Sequence, residues 1–162
     1  MMFDISIIET GNGGDLEFSG HDFVPVYDIR NMPYLAMFGG NVIPDPKSKL
    51  EETQRFDYWA NDLLMPNDFS VQMISKTEKL LNTTPLTSAG RVIIENAVKE
   101  DVKLLNSLAT IVVSVVIVDT DRLNIILRME GVDGVKRQIT MKFEQNDDGD
   151  FFVVDFNDDF YI

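Results

Sequence analysis

The chain has 162 residues, 44% of them apolar, which is enough for one domain with a core of its own. It contains no cysteine, which excludes a disulfide framework and thiolate chemistry and fits a reducing compartment. Its formal net charge of −13 argues against free nucleic acid and anionic lipid as partners; it suits a basic protein partner, and solubility alone would also account for it.

The start, Met1-Met2-Phe3-Asp4, lacks the basic residues and apolar run of a signal peptide. Phe3, Ile5, Ile7 and Ile8 read as a strand, Gly11 to Gly14 as a turn, and Asp15 to Phe18 as a returning strand, so residues 1–20 are expected to form a hairpin. The glycines do not make a phosphate loop, because no Lys-Ser/Thr follows and a strand, not a helix, comes next. Residues 22–108 read as a helical part. A first helix is expected from near Asp28, with Ile29, Met32, Leu35, Ala36 and Phe38 inward, Pro33 in the first turn and Gly39-Gly40 at the end. Residues 41–55 are polar and Pro-containing and read as an exposed loop. The loop leads to Phe56-Asp57-Tyr58-Trp59, which is either an aromatic anchor buried in the core or a contact point for a partner chain. A second helix is expected from Phe69 to Leu81, with Val71, Ile74, Leu80 and Leu81 as its apolar positions and a break at Asn82 to Pro85.

The strongest pattern follows. Ile94, Ala97, Val98, Val102, Leu105 and Leu108 share one face of a helix running from Ala89 to Leu108, capped by Thr87 or Ser88. Residues 109–156 then read as an antiparallel sheet. Ile111 to Val118 is almost entirely apolar and β-branched, which predicts a strand buried on both faces, and the apolar run from Ala109 to Val118 is too short to cross a bilayer. Leu123, Ile125, Leu127 and Met129, and after the Gly131–Gly134 turn Val135, Arg137, Ile139, Met141 and Phe143, alternate with polar residues, so these strands should each have one wet face. Phe151 to Val154 reads as a last strand, and residues 157–162 as an acidic tail. The whole is an α+β domain, with an N-terminal hairpin and two to three helices packed on an antiparallel meander.

Little here points to catalysis, a metal or a cofactor. His21 is the single histidine and has no Cys or second His to join it. Asn146 to Asp150 offers oxygen ligands but lacks the spacing and distal Glu of a calcium loop, so a solvated turn is the simpler reading. No basic stripe interleaved with aromatics suggests nucleic-acid binding. The residues leave three broad options open: an assembly protein, a small enzyme or ligand-binding domain, or an acidic regulator or inhibitor.

A set of short motifs spread along the chain carries a resemblance. They are Asp4-Ile5 and Gly14-Asp15-Leu16; Asp28-Ile29, Met32, Leu35 and Phe38 closing in Gly39-Gly40; the Pro/Asp-rich loop that reaches Tyr58-Trp59; and the long helix with its closing strands. In this order they resemble the small baseplate proteins of contractile phage tails, the Mu-like baseplate component family. The resemblance implies a non-enzymatic structural protein of the tail baseplate, in a phage, a prophage remnant or a related injection particle, made in the cytoplasm of a bacterial host. Its implied partners are other wedge proteins, close to sheath and tube, with no nucleic acid, membrane or cofactor. Tyr58, Trp59, Phe152, Val154 and Phe156 are the candidate partner residues, and the last strand with its tail is a candidate for pairing with a neighbour's strand.

Overall fold

The computed structural model describes residues 4–9, 14–26, 29, 31–40, 63 and 73–160, and within them the fold is α+β. The closing half of the chain is a four-stranded antiparallel meander of β7 (Ala109–Asp119), β8 (Arg122–Gly131), β9 (Lys136–Gln145) and β10 (Phe151–Phe160), in the order β10-β9-β8-β7. Alternation along each strand aligns the apolar residues into rows across the sheet. Val115, Ile125, Met141 and Phe156 make one row, and Ile117, Leu123, Phe143 and Val153 the next. These rows face the helices and form most of the core.

Two expectations about the sheet need correction. The β7 segment, expected to be buried on both faces, is an edge strand covered on one side only: Val112, Val116 and Val118 are 58%, 42% and 59% exposed. A continuous apolar run cannot distinguish a doubly covered strand from one whose second face is open, because periodicity is lost in both cases. At the other edge, β10 does not stop before an acidic tail. It runs to Phe160, so Asn157, Asp158 and Asp159 belong to the sheet. Asp158 turns inward and pairs with the buried Arg137 of β9, which neutralises both groups where water is largely excluded.

The helical layer comprises α1 (Met32–Phe38), α2 (Thr77–Thr83) and α3 (Ser88–Asp101), the last passing into 3-10 turns over Val102–Ser107. The expected face of the long helix is the buried one, with Ile94, Ala97, Val98, Val102 and Leu105 inside, although regular α-helix stops at Asp101. Thr87 caps it by accepting from the Gly90 N–H at 3.0 Å. The first helix begins at Met32, later than the expected start near Asp28, which lies outside the described residues. Besides Ala36 and Phe38 it buries Tyr34 and Met37, while Met32 and Leu35 are only half-buried. The second helix also starts late, at Thr77 rather than Phe69: residues 73–76 are extended or irregular, and 69–72 lie outside the described residues. The cause is a competing set of bonds. The Ser75 N–H donates to the Gly40 carbonyl (2.9 Å) and its hydroxyl to the Ala36 carbonyl (2.8 Å). Those bonds hold Ser75 against the end of α1.

The N-terminal part is more elaborate than a hairpin. The segments 4–9, 14–19 and 22–26 each pair with both of the others, as three short ribbons: β1 (Asp4–Ile5) with β6 (Pro25–Val26), β2 (Ile7–Glu9) with β3 (Gly14–Leu16), and β4 (Phe18–Ser19) with β5 (Asp22–Phe23). At the junction the backbone bonds run in a ring, Ser6 N–H to Val24 carbonyl (2.8 Å), Val24 N–H to Glu17 carbonyl (3.0 Å) and Glu17 N–H to Ser6 carbonyl (2.9 Å). Asn31, buried at the start of α1, holds the junction on the core: its Nδ2 donates to the Ile5 carbonyl (2.5 Å) and to Asp4 Oδ2 (2.9 Å), and its Oδ1 accepts from the Ile7 N–H (3.1 Å). The expected β2–β3 hairpin is there, and residues 22–26, read from sequence as the start of the helical part, join it.

Candidate functional site

The groups that could have marked chemistry are occupied with structure. Among the described residues no group of three or more His, Cys, Asp or Glu could hold a metal ion. His21 sits exposed in the tight Gly20-His21 loop between β4 and β5, where Gly20 takes a φ of +69°, and Asp22 follows it as the first residue of β5. In the Asn146–Asp150 turn the Asn146 side chain serves the backbone, accepting from the N–H groups of Asp148 (3.0 Å) and Asp150 (2.9 Å).

Among the described residues, the carboxyl groups of Glu78 and Asp101 are shifted upward through burial. Glu78, in the first turn of α2, is pushed up to about 7. Burial also pushes the Asp101 carboxyl up, while hydrogen bonds from Thr77 and Lys76 pull the other way. Asp101 is fully engaged: it accepts from the Lys76 N–H, the Thr77 N–H and the Thr77 hydroxyl. Its role is to cap α2 from the end of α3. Sequence reasoning missed it, yet a signal was there, because Asp101 lies at helical spacing from Ala97, Val98 and Leu105 and so belongs to the apolar face.

What remains is surface. Every residue from Phe18 to Phe23 is exposed, and the cross-strand pair Phe18 and Phe23, 57% and 47% exposed, lies with ring centroids 4.5 Å apart. An exposed aromatic pair on a short ribbon gives up a large apolar area to water without burying it in its own fold. The first cation in the sequence is Arg30, so the whole N-terminal ribbon segment is acidic.

The second open surface is the outer face of the sheet, bounded by the β7 valines on one side and by Phe152 and Val154 on the other. Of the candidate partner residues, Val154 is 48% exposed, at a bulge in β10. Phe152 is half-buried and lies opposite Glu144 on the outer face. Phe156 belongs elsewhere: it points inward and meets the Tyr34 ring edge-on at 6.3 Å, so its main role is in the core. Tyr58 and Trp59 lie outside the described residues. The C-terminal carboxylates form no stripe. Asp155 faces outward with Lys142 (2.5 Å) and Asp158 inward with Arg137.

The free edge of β7 is closed at its middle. The Val115 carbonyl accepts from Arg91 Nη1 at 3.4 Å, and the Val115 N–H faces the Glu95 carboxylate. Glu95 also receives Arg91 (2.7 Å) and Lys99 (2.6 Å), and the Lys99 ammonium leads in holding its carboxyl below the usual range. Helix α3 thereby covers the backbone groups of Val115, at the point where a neighbour's strand would have to add.

No match to the chain is found among protein-family models, curated proteins or solved structures. No helix among the described residues is long and apolar enough to cross a membrane.

Proposed function

We propose that this chain is a non-enzymatic structural component of a contractile tail baseplate, in a phage or a phage-like injection particle, where it binds larger wedge proteins near sheath and tube. The reading takes its identity from the sequence motifs. The structural observation that supports it is the Phe18–Phe23 pair, carried on an acidic ribbon and about half exposed to solvent. The Gly14-Asp15-Leu16 motif lies on β3 of the same three-ribbon unit, and Met32 to Phe38 forms the helix beside it. A ribbon with an exposed aromatic pair and negative flanks suits a partner surface that offers an apolar slot rimmed by Lys and Arg.

The test is the double variant Phe18→Ser, Phe23→Ser, produced in a native host that makes the particle. Both rings are exposed, so the variant is expected to fold with close to wild-type stability. It is expected to lose incorporation into sedimenting particles. Incorporation at the wild-type level would contradict a role for the ribbon in assembly.

A further inference from the structure

We infer that the outer face of the four-stranded sheet is a self-association surface on which a second copy of this chain packs face to face. The first observation is apolar surface. Val112, Val116 and Val118 run along β7, Ile126 is half-buried near the middle, and Phe152 and Val154 lie along β10. The inner face has its helices, while this face has no covering layer among the described residues.

The second observation is charge, and it selects the occupant. The chain as a whole carries −13. On the outer face the cations Arg122, Arg128, Lys136 and Lys142 face five carboxylates, Asp119, Glu130, Glu144, Asp155 and Asp159, so the face is within one charge of neutral. They neutralise one another within the face: Arg122 pairs with Glu144 at 3.1 Å, Lys142 with Asp155 at 2.5 Å, and Glu130 stands opposite Lys136. Arg128 donates to the Gln138 side chain at 3.0 Å. A basic partner would be drawn instead to the acidic ribbons or to the turn that holds Asp147 and Asp148. A polyanion would find no positive field here. A second copy is the partner for which a nearly neutral face matters most, since two such acidic chains repel elsewhere.

The third observation is geometry. Edge-to-edge pairing through β7 is obstructed where Arg91 and Glu95 engage Val115, but the face itself is unobstructed. On standard strand spacings a face of four such strands measures roughly 19 by 34 Å, so two copies would bury on the order of 1,300 Å² in total, within the range of specific interfaces. Sheets packed in this way align at about −30° with interdigitating side chains. This inference stands apart from the baseplate reading and does not depend on it.

The test is sedimentation equilibrium of the purified full chain across roughly 1–100 μM, with Val116→Lys and Val92→Lys compared with wild type. Val92 is an exposed residue on α3, away from the sheet face, and serves as the control. Wild type and Val92→Lys are expected to approach twice the 18.4 kDa chain mass, while Val116→Lys is expected to weaken the dimer at least tenfold. If circular dichroism shows that Val116→Lys is misfolded, Val154→Lys at the β10 margin gives the same reading. A wild-type chain that stays at 18.4 kDa throughout would overturn the inference and leave the face to a different protein; a dimer untouched by the folded sheet-face variant would overturn it as well.

Discussion

Asp101, the last residue of α3, caps α2 at Thr77: its Oδ2 accepts from the Thr77 N–H at 2.8 Å and from the Thr77 hydroxyl at 2.7 Å. Asp101 and Thr77 are both buried, and the Lys76 N–H joins them. A short helix ordinarily finds its cap in the preceding residue, but the Lys76 side chain cannot accept a hydrogen bond. One carboxylate thus supplies the missing cap and fixes the distance between two helices. Asp101→Ala should strand these donors and cost about 2–4 kcal/mol, lowering the melting temperature by roughly 5–15 °C. Asp101→Asn keeps one acceptor and should cost less. Thermal denaturation followed by circular dichroism measures both, and an Ala variant as stable as wild type would contradict the role.

Gly90 poses a contest between two effects. Replacing a helix glycine by alanine ordinarily favours the helix by about 1 kcal/mol. Here an added Cβ would lie 2.0 Å from the Pro85 carbonyl oxygen and 3.0 Å from Thr84 Cγ2. Pro85 is held there because its carbonyl accepts from the Thr87 N–H at 2.8 Å. The clash should win, so Gly90→Ala is expected to destabilise by about 1–3 kcal/mol. A gain in denaturation midpoint would show that the Pro85 turn yields freely.

Glu78 gives the fold a pH dependence of predictable sign. Burial raises its carboxyl from the ordinary 4.5 to about 7, so the folded state holds the proton more tightly than the unfolded chain does. The resulting stabilisation is complete below pH 4.5 and is lost as the pH rises through about 7; a shift of this size amounts to roughly 3 kcal/mol. Glu78→Gln has no such proton to lose. Melting curves at pH 5 and pH 8 should show the variant gaining on wild type by roughly 6–12 °C at the higher pH. Parallel curves at the two pH values would contradict the assignment.

The final strand should be indispensable to the fold. Removing residues 147–162 takes Val153 and Phe156 from the core, strips Asp158 from buried Arg137, and frees Asn82, whose side chain accepts from the Phe151 N–H at 2.9 Å. Leaving a buried guanidinium without its partner alone costs about 3–5 kcal/mol. The truncated chain is expected to be insoluble or unfolded, and a soluble product with a cooperative melt would contradict the place given to β10.

Where the sequence was legible, periodicity carried the information. Leu123 to Met129 and Ile139 to Phe143 alternate at period two, and Ile94 to Leu105 follow helical spacing; these residues form the core as read. Legibility failed where a long-range polar bond overrode local preference. Nothing in the local sequence marks Asn31, yet it bonds to Ile5 and Ile7 across the N-terminal junction. Ser75 and Asp101 moved the start of α2 for the same reason. Phe18 and Phe23 carried no sequence signal of exposure, because an aromatic residue in a strand reads the same whether its face is covered or open. Phe156 is the reverse case, read as a contact for a partner and found against Tyr34.

The baseplate assignment is tested most directly by mass spectrometry of large particles sedimented from induced native host cells. The account predicts this chain in the sediment together with sheath, tube and larger wedge proteins. Sheath and tube proteins sedimenting without it, while the chain stays in the supernatant, would contradict the account.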